Sequence, residues 1–291
     1  MKVLTRPSIR RAALLASLGV VALAAWSHSS APAIAQEGGG LLDIDIGDFD
    51  LGDDSKGGEQ SMSYDGQVGQ DADNYVPGTP VYITHTKGNI SVRCTDSPGI
   101  QARVNFTVEG TKESAMQSLG DRIGIRTYAS NSQGKVSTSV PGKYAGIEAI
   151  HTPLTVNLPR EAKVNVTGGD GWVQVVGCTG TVKATTRNGG IYVDGVLSSF
   201  DLSTNVGDIE VELDSTAEIT TSSRATATTG AITLRMPITQ KGNLNARGSE
   251  ITVDHLVNGT NTATHVQGTL SDSGPSITLT AKTTIAITTP K

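Results

Sequence analysis

The most informative part of the sequence is residues 164–211, which read VNVTGGDGWVQVVGCTGTVKATTRNGGIYVDGVLSSFDLSTNVGDIEV. One pattern recurs in it: two alternating apolar residues, four residues, a glycine, one residue, and a second alternating apolar pair. A period of two predicts short β-strands that turn one face inward. The glycine predicts a tight bend or a positive-φ corner, which a β-branched residue would not tolerate.

The same pattern continues on both sides of this stretch. An earlier copy begins at Val81 and has its glycine at Gly88, and weaker copies follow at 225–234 and 244–253. The second apolar pairs begin at 173, 191, 209, 232, 251 and 270, so the steps are 18, 18, 23, 19 and 19 residues. The series fades through Gly268 and Leu270 to Ile277 and Leu279. Such regular spacing indicates a structural repeat.

A single repeat of two short strands and two turns cannot bury its apolar face alone. Stacking the repeats at about 4.8 Å solves this, because every strand then pairs with its counterpart in the next coil. The sequence therefore predicts an all-β fold, a β-solenoid (β-helix-like) of about 18–23-residue coils. The alternative is an antiparallel β-sandwich, which also contains many short strands but does not require a constant period.

Residues 95–160 interrupt the repeat with longer strand-like alternations and with a segment at 112–119 that is either a single short helix or a loop. We expect this block to add strands to the same sheets, because no low-complexity linker separates it. The end of a stack of coils exposes strand edges and needs a cap. The threonine-rich tail at 282–291 is the candidate for the C-terminal cap.

The repeats resemble the bacterial putative adhesin family, a domain of unknown function made of β-strand repeats. The resemblance covers roughly 77–291. It rests on TKGNISV (86–92), RNGGIYV (187–193) and NVGDIEV (205–211), together with the strand Leu154–Pro159. It implies an exported, solenoid-like, non-enzymatic surface or envelope protein, and it supplies no catalytic residues. We expect the long, regular, threonine-rich faces of the repeats to contact an unknown surface polymer or protein.

The N-terminal residues 1–35 are typical of a signal peptide. A basic region through Arg11 precedes an apolar run from Ala12 to Trp26, and Ala33-Ile34-Ala35 fits signal peptidase. The run has about 15 residues and a bilayer needs roughly 20, so no transmembrane span is expected in the mature form. An uncleaved anchor and twin-arginine export through Arg10-Arg11 are the alternatives. The prediction is an exported protein of the periplasm, cell surface or extracellular space.

Residues 36–76 form an acidic, glycine-rich segment that we expect to be flexible, and 77–291 form the strand-repeat domain. Within the acidic segment, Leu42–Ile46 alternates apolar and acidic residues. That alternation is compatible with a solvated linker, with a short strand that docks on the domain, or with a Ca²⁺ site.

Charge excludes one class of partner. The net charge is −5, of which residues 1–35 carry +4 and residues 36–76 carry −10, so the repeat domain is near +1. A nearly neutral domain argues against nucleic acid, because binding to phosphates needs a basic face.

Cys94 and Cys178 lie just past the second strand of their copies, in nearly equivalent places. If those coils are neighbours, a disulfide is feasible in an exported protein; two unpaired thiols are the alternative. The histidines show no zinc spacing, so no metal and no cofactor are predicted.

Aligning the copies on their second strands gives a possible ligand-facing ladder; scattered solvated charges are the preferred interpretation, because threonine and alanine in the intervening copies dilute the ladder. Arg187, Asn205 and Arg247 occupy the position four before the isoleucine, and Asp208 and Glu250 the position directly before it. The preferred function is a non-catalytic, adhesin-like interaction protein with no catalytic residues. The alternative is a carbohydrate-active β-helix enzyme, a polysaccharide lyase or hydrolase, which would need carboxylates and a basic group on one face.

Overall fold

The structure is a computed structural model that describes residues 43–46, 61–142, 145–195, 198–254 and 258–290. The predicted signal peptide lies outside the described residues, as does much of the acidic segment. The prediction of an all-β fold is confirmed: one helix, α1 (Glu113–Gly120), accompanies strands that form two mixed sheets.

The strands are numbered in chain order. The first sheet contains, from edge to edge, β1 (Asp43–Ile46), β2 (Met62–Ala72), β4 (Ile90–Gly110), β10 (Val173–Val176), β12 (Ile191–Asp194), β14 (Ile209–Glu212), β16 (Ile232–Arg235), β22 (Thr284–Thr288) and β18 (Glu250–Val253), and β7 (Ile147–His151) and β8 (Leu154–Pro159) pair with β4. The second sheet contains β19 (Asn258–Asn261), β20 (His265–Thr269), β17 (Asn243–Arg247), β21 (Ser276–Ala281), β15 (Ser223–Thr229), β13 (Ser199–Val206), β11 (Thr181–Asn188), β9 (Lys163–Asp170), β3 (Pro80–Lys87), β6 (Gly134–Ser139) and β5 (Gly124–Ala129).

Each sequence repeat contributes its first strand to the second sheet and its second strand to the first sheet. Strands from successive repeats run parallel and in register. In the first sheet Val173 pairs with both Ile90 and Ile191, and Ile191 pairs with Ile209. In the second sheet Val182 pairs with both Val164 and Phe200. The alternating apolar residues of both sheets form one buried core.

The glycines of the pattern line up at one corner. Gly88, Gly171, Gly189, Gly207 and Gly230 all have positive φ, between 99° and 149°. A Cβ on Gly189 would lie 2.1 Å from the carbonyl oxygen of Gly171, and one on Gly230 would lie 2.0 Å from that of Gly207. The prediction of a positive-φ corner is confirmed, and the close stacking of these corners excludes any side chain there.

The block at 95–160 adds strands to both sheets, as predicted. β4 is long: Ile90–Thr95 pairs with β8, and its later part pairs with β2, β7 and again with β8. The alternative of a short helix at 112–119 is confirmed as α1, which buries Met116 and Leu119 against β2 and β4.

The prediction of a flexible segment over 36–76 is wrong for residues 62–72. These residues form β2, which pairs antiparallel with β4 along its whole length, from Met62 opposite Gly110 to Ala72 opposite Ile100. Tyr64 and Val68 are buried on its inner face, so this part of the segment has apolar residues to bury. The interpretation of the preceding alternation as a docked strand is confirmed for the backbone of β1, which pairs antiparallel with β2.

The predicted C-terminal cap is also wrong. β21 and β22 form one further repeat, with one strand in each sheet, and both strands lie in the interior of their sheets. β21 lies between β15 and β17, and β22 lies between β16 and β18. Ile277, Leu279, Ile285 and Ile287 are fully buried in it. The sequence pattern missed this coil because its corner, Lys282-Thr283, contains no glycine.

Candidate functional site

The outer face of the second sheet carries a straight row of hydroxyl side chains, the hydroxyl row. It occupies one register position on seven adjacent strands, so neighbouring side chains are about 4.8 Å apart and the row is about 29 Å long. Pairing in register defines its members, Ser137, Thr84, Thr167, Thr185, Ser203, Thr226 and Thr280.

The row faces solvent because buried and solvent-facing side chains alternate along each of these strands. Each hydroxyl residue follows a buried residue, for example Thr167 after Val166 and Thr185 after Ala184. Thr84, Thr167 and Thr185 are exposed, and their hydroxyl groups make no hydrogen bond to any residue that the structure describes. Thr226 Oγ1, farther along the row, accepts a hydrogen bond from Arg224 Nε at 3.2 Å. Each hydroxyl can donate one hydrogen bond and accept two, so Thr84, Thr167 and Thr185 are free to bind a ligand.

Basic side chains flank the hydroxyl row. Lys183 and Arg187 lie on either side of Thr185 along β11, and Lys183 Nζ forms an ion pair with Asp201 on the next strand at 2.8 Å. The hydrogen bond to Asp201 raises the pKa of Lys183. The exposed basic residues on β9, β11, β15 and β17 are Lys163, Lys183, Arg187, Arg224 and Arg247.

The outer face of the first sheet has the opposite character. Asp194, Glu210 and Glu212 lie on neighbouring strands, and Arg235 forms ion pairs with Glu210 and Glu212. Partial burial raises the pKa of Asp194, with a further increase from the carboxylates of Asp214 and Glu212. The two faces therefore differ in charge, and sequence analysis did not find this difference because it follows from which strand enters which sheet.

The structure separates the predicted ladder into two register rows. Arg187 and Asn205 lie side by side, since the residues that flank them pair in register. Arg247 lies elsewhere: it pairs with Thr280 and is therefore in line with the hydroxyl row. The prediction that Arg247 shares the position of Arg187 is wrong, because the chain from the hydroxyl-row position to the isoleucine is shorter between β17 and β18 than between β11 and β12. Four residues before the isoleucine is therefore a different register position in the two repeats. Ala281 pairs in register with β15, and Lys282 directly follows it. Lys282 therefore lies in the register row of Arg187 and Asn205, where the ladder placed Arg247.

Asp208 and Glu250 do share a register position, but β16 and β22 lie between them. Three strand spacings separate their backbones by about 14 Å. The paired carboxylates of glycosidases are about 5–9.5 Å apart. Asp208 Oδ1 also accepts the backbone N–H of Ala231 at 2.7 Å, which fixes this carboxylate at the corner of the coil. This pair is therefore poorly placed for acid–base catalysis on a sugar.

A shallow depression that is open to solvent lies where the hydroxyl row ends, and we call it the basic pocket. Arg247 and His265 face each other across β17 and β20 at its base, because these two strands pair antiparallel. Its polar side chains come from three strands and three connections between strands: Arg247, Ser249, Thr264, His265, Thr280 and Lys282. Sequence analysis did not bring His265 and Lys282 together in a site, since neither belongs to a motif.

Cys94 and Cys178 form a disulfide, with an S–S distance of 1.99 Å and Cα atoms 4.8 Å apart. Their coils are neighbours, since Arg93 pairs with Val176. Within the described ranges no cluster of three or more histidine, cysteine or acidic residues is arranged to hold a metal ion.

No family model matches the sequence, and no curated protein matches it. Solved structures similar to this chain include a putative cell adhesion protein from Clostridium sporogenes, with 10% identity, a TM-score of 0.45, and coverage of 77% of this chain and 99% of that chain. A putative adhesin from Bacteroides fragilis has 11% identity, a TM-score of 0.27, and coverage of 76% and 96%. One from Parabacteroides distasonis has 10% identity, a TM-score of 0.24, and coverage of 76% and 96%.

In the part of the chain that the structure describes, no helix has the length and apolar character needed to cross a membrane.

Proposed function

We propose that this chain is an exported, non-catalytic, adhesin-like protein of the cell envelope or surface, and that it binds an extended polysaccharide along the hydroxyl row. The hydroxyl row is the observation that carries the proposal. A series of equally spaced groups, each able to donate and accept a hydrogen bond, complements a polymer with repeating hydroxyl groups. Many weak contacts along the row add up to useful affinity, as multivalent binding requires.

We further propose that the repeat region is a β-solenoid. The in-register parallel pairing of strands from successive repeats supports this interpretation, as do the stacked glycine corners. A stack of coils is what makes the hydroxyl row regular, because each coil contributes one hydroxyl residue at a fixed spacing. The fold and the binding face thus have a common origin in the repeat.

Export is supported by two features. The first is the signal-like segment at 1–35. The second is the disulfide between Cys94 and Cys178, because such bonds persist in oxidising compartments outside the cytosol.

The test is affinity electrophoresis in gels containing polygalacturonate, alginate, xylan or dextran. The wild-type protein is expected to be retarded by at least one of them. The triple variant Thr84→Val, Thr167→Val, Thr185→Val removes three adjacent hydroxyl groups and is expected to bind about tenfold more weakly. A matched variant, Thr155→Val, Thr233→Val, Thr252→Val, makes the same change on the outer face of the first sheet and is expected to bind like wild type.

Equal retardation of the two triple variants would contradict the proposal, and so would a lack of retardation in every gel. The same polymers also test the enzymatic alternative, by assay for unsaturated or reducing-end products. Turnover that is lost in Asp208→Ala and Arg187→Ala would favour the lyase or hydrolase.

A further inference from the structure

We infer that the basic pocket binds an acidic sugar, whose anionic group contacts Arg247 and Lys282. This inference rests on the proposed function, because it identifies the class of polymer that would occupy the hydroxyl row. An acidic sugar here means a ring that carries one carboxylate or sulfate group.

The charge of the pocket favours an anion. Arg247 and Lys282 form no ion pair with any residue that the structure describes, whereas Lys183 and Arg235 each bind a neighbouring acid. The lining residues include no acid. A guanidinium group presents two parallel N–H donors to an anionic group, and an ammonium group adds a second positive charge.

His265 provides an independent indication of a ligand. Its Nε2 atom is shielded from solvent and has no hydrogen-bond partner within the described residues. The backbone of this residue is held firmly, since its N–H donates to Thr262 Oγ1 and its carbonyl oxygen accepts from both the N–H and the hydroxyl of Thr262. A buried polar atom without a partner is costly, and a rotation of the imidazole ring toward the pocket would let a ligand hydroxyl or anionic oxygen satisfy it.

The size and position of the pocket favour a sugar ring over a bare ion. The pocket is a broad depression open to solvent and lined by eight residues, which a single small anion would not cover. Ser249, Thr264 and Thr280 contribute hydroxyl groups that can bind ring hydroxyls. Thr280 is at the same time the last member of the hydroxyl row, and it pairs directly with Arg247. A polymer lying along the row would thus place one of its rings in the pocket.

The experiment uses the full protein and trigalacturonate, which is too short to span the row, with calorimetric measurement of its affinity. The double variant Arg247→Gln, Lys282→Gln is expected to bind at least tenfold more weakly than wild type. Both residues are exposed, so the variant should keep its fold, which a thermal melt checks. The control is Lys163→Gln, an exposed lysine on β9 that lies five strands, about 24 Å, from Arg247.

Two further arms define the ligand. A neutral trisaccharide is expected to bind at least tenfold more weakly than trigalacturonate, and a sulfated galactan trisaccharide distinguishes sulfate from carboxylate. In the NMR spectrum the Nε2 resonance of His265 is expected to shift on addition of the acidic sugar, a change that a purely structural role of Arg247 and Lys282 would not produce.

Equal binding of the acidic and neutral sugars would overturn the inference. So would a double variant that binds like wild type, or no binding of either acidic trisaccharide. The outcomes separate the two proposals: if the threonine variant of the hydroxyl row loses polymer binding while the pocket variant does not, the proposed function stands and this inference fails. If neither variant affects polymer binding, both fail.

Discussion

At the scale of single residues, polar side chains inside the core are accommodated at the glycine corner. Thr186 and Thr204 are buried, and their hydroxyl groups donate to the carbonyl oxygens of Gly171 and Gly189 at 3.2 and 2.8 Å. A carbonyl group at a tight bend would otherwise be buried without a donor, at a cost of about 1–3 kcal/mol. Inward-facing threonine therefore supports the corner, while outward-facing threonine forms the hydroxyl row.

His85 is the most completely buried titratable side chain of this corner. Its Nε2 atom is 2.6 Å from the carbonyl oxygen of Thr152, and its Nδ1 atom is 2.6 Å from Thr138 Oγ1. A carbonyl oxygen can only accept, so Nε2 carries the proton and Nδ1 accepts from the threonine hydroxyl. Burial lowers the pKa of His85, since it disfavours the imidazolium, and the backbone hydrogen bond to Thr152 opposes this shift in part.

This pKa shift predicts that acid destabilises the protein. The folded-state pKa of His85 lies below its unfolded value of about 6.5, so the unfolded chain binds more protons when the pH falls below that value. The stabilisation from the neutral ring is complete above pH 6.5 and is lost as the pH falls toward the folded-state pKa. The free energy of unfolding should fall by at most about 1.4 kcal/mol per pH unit from this group. Urea titrations between pH 7.5 and 5 measure it.

The matched pair of variants is His85→Gln and His151→Gln, since His151 is an exposed histidine on β7. The difference between their pH slopes isolates the buried ring from other titrating groups. His85→Gln is expected to have a shallower slope than His151→Gln. Identical slopes would show that His85 does not titrate differently in the folded and unfolded states.

At the scale of elements, the corner between paired strands is what joins one coil to the next. The N–H groups of Gly171, Gly189 and Gly207 each donate to a carbonyl oxygen of the following coil, at 2.7, 2.7 and 2.8 Å. These bonds bring the backbones so close that a Cβ atom on Gly189 would overlap the Gly171 carbonyl. The corner hydrogen bonds therefore hold successive repeats together in the same way as the pairing between strands does.

We predict that Gly189→Ala destabilises the fold. Its φ of 144° and the 2.1 Å approach of a Cβ to Gly171 both oppose a side chain, and backbone strain alone costs about 1–3 kcal/mol. The control is Gly124→Ala on β5, where a Cβ would meet nothing within 4 Å. Urea unfolding should show a loss of stability of this size for Gly189→Ala and a change below about 1 kcal/mol for the control. Similar stabilities would mean that the corners can separate without cost.

The disulfide also links neighbouring repeats. It joins two repeats that the inserted block at 95–160 keeps far apart in sequence. Cys94 and Cys178 are separated by 84 residues. In the chain-entropy model, closing a loop of that length stabilises the folded state by about 4–5 kcal/mol. The bond lies beside the residues of β4 that follow its pairing with β10. It lowers the conformational entropy of the unfolded chain across the long insertion that contains α1 and β5–β8.

The repeat made much of the fold predictable, and its irregularities explain the rest. Alternating apolar residues and the corner glycines predicted the paired strands between 164 and 234, because each copy obeys the same packing rule. β2 was missed because its two core residues, Tyr64 and Val68, are surrounded by polar and glycine residues. The basic pocket was missed because it joins residues 247, 265 and 282 through an antiparallel turn and an inserted strand, and neither is visible as a periodicity.

At the scale of the whole described domain, the order of coils in space differs from their order in sequence. After β15 and β16, the chain forms β17 and β18 two strand positions farther along each sheet. The intervening position in each sheet is then filled by β21 and β22. The inserted coil buries four large aliphatic side chains, each worth about 1.5–3 kcal/mol. Their sum is comparable to the whole stability of a typical domain, so the last coil holds the C-terminal half of the stack together.

This topology predicts the effect of truncation. Removing residues 275–291 takes away the strands between β15 and β17 and between β16 and β18. Amides of β15 and β16 should lose their protection against hydrogen exchange, while those of β9 and β10 should keep it, because coils in a stack depend mainly on their nearest neighbours. Removing only residues 289–291, beyond β22, is the control and should leave the protection unchanged. The informative alternative is a truncated chain with full protection of β15 and β16. In that case β17 and β18 would have moved into the gap, as the uninterrupted sequence repeat predicts, and the inserted coil would be dispensable.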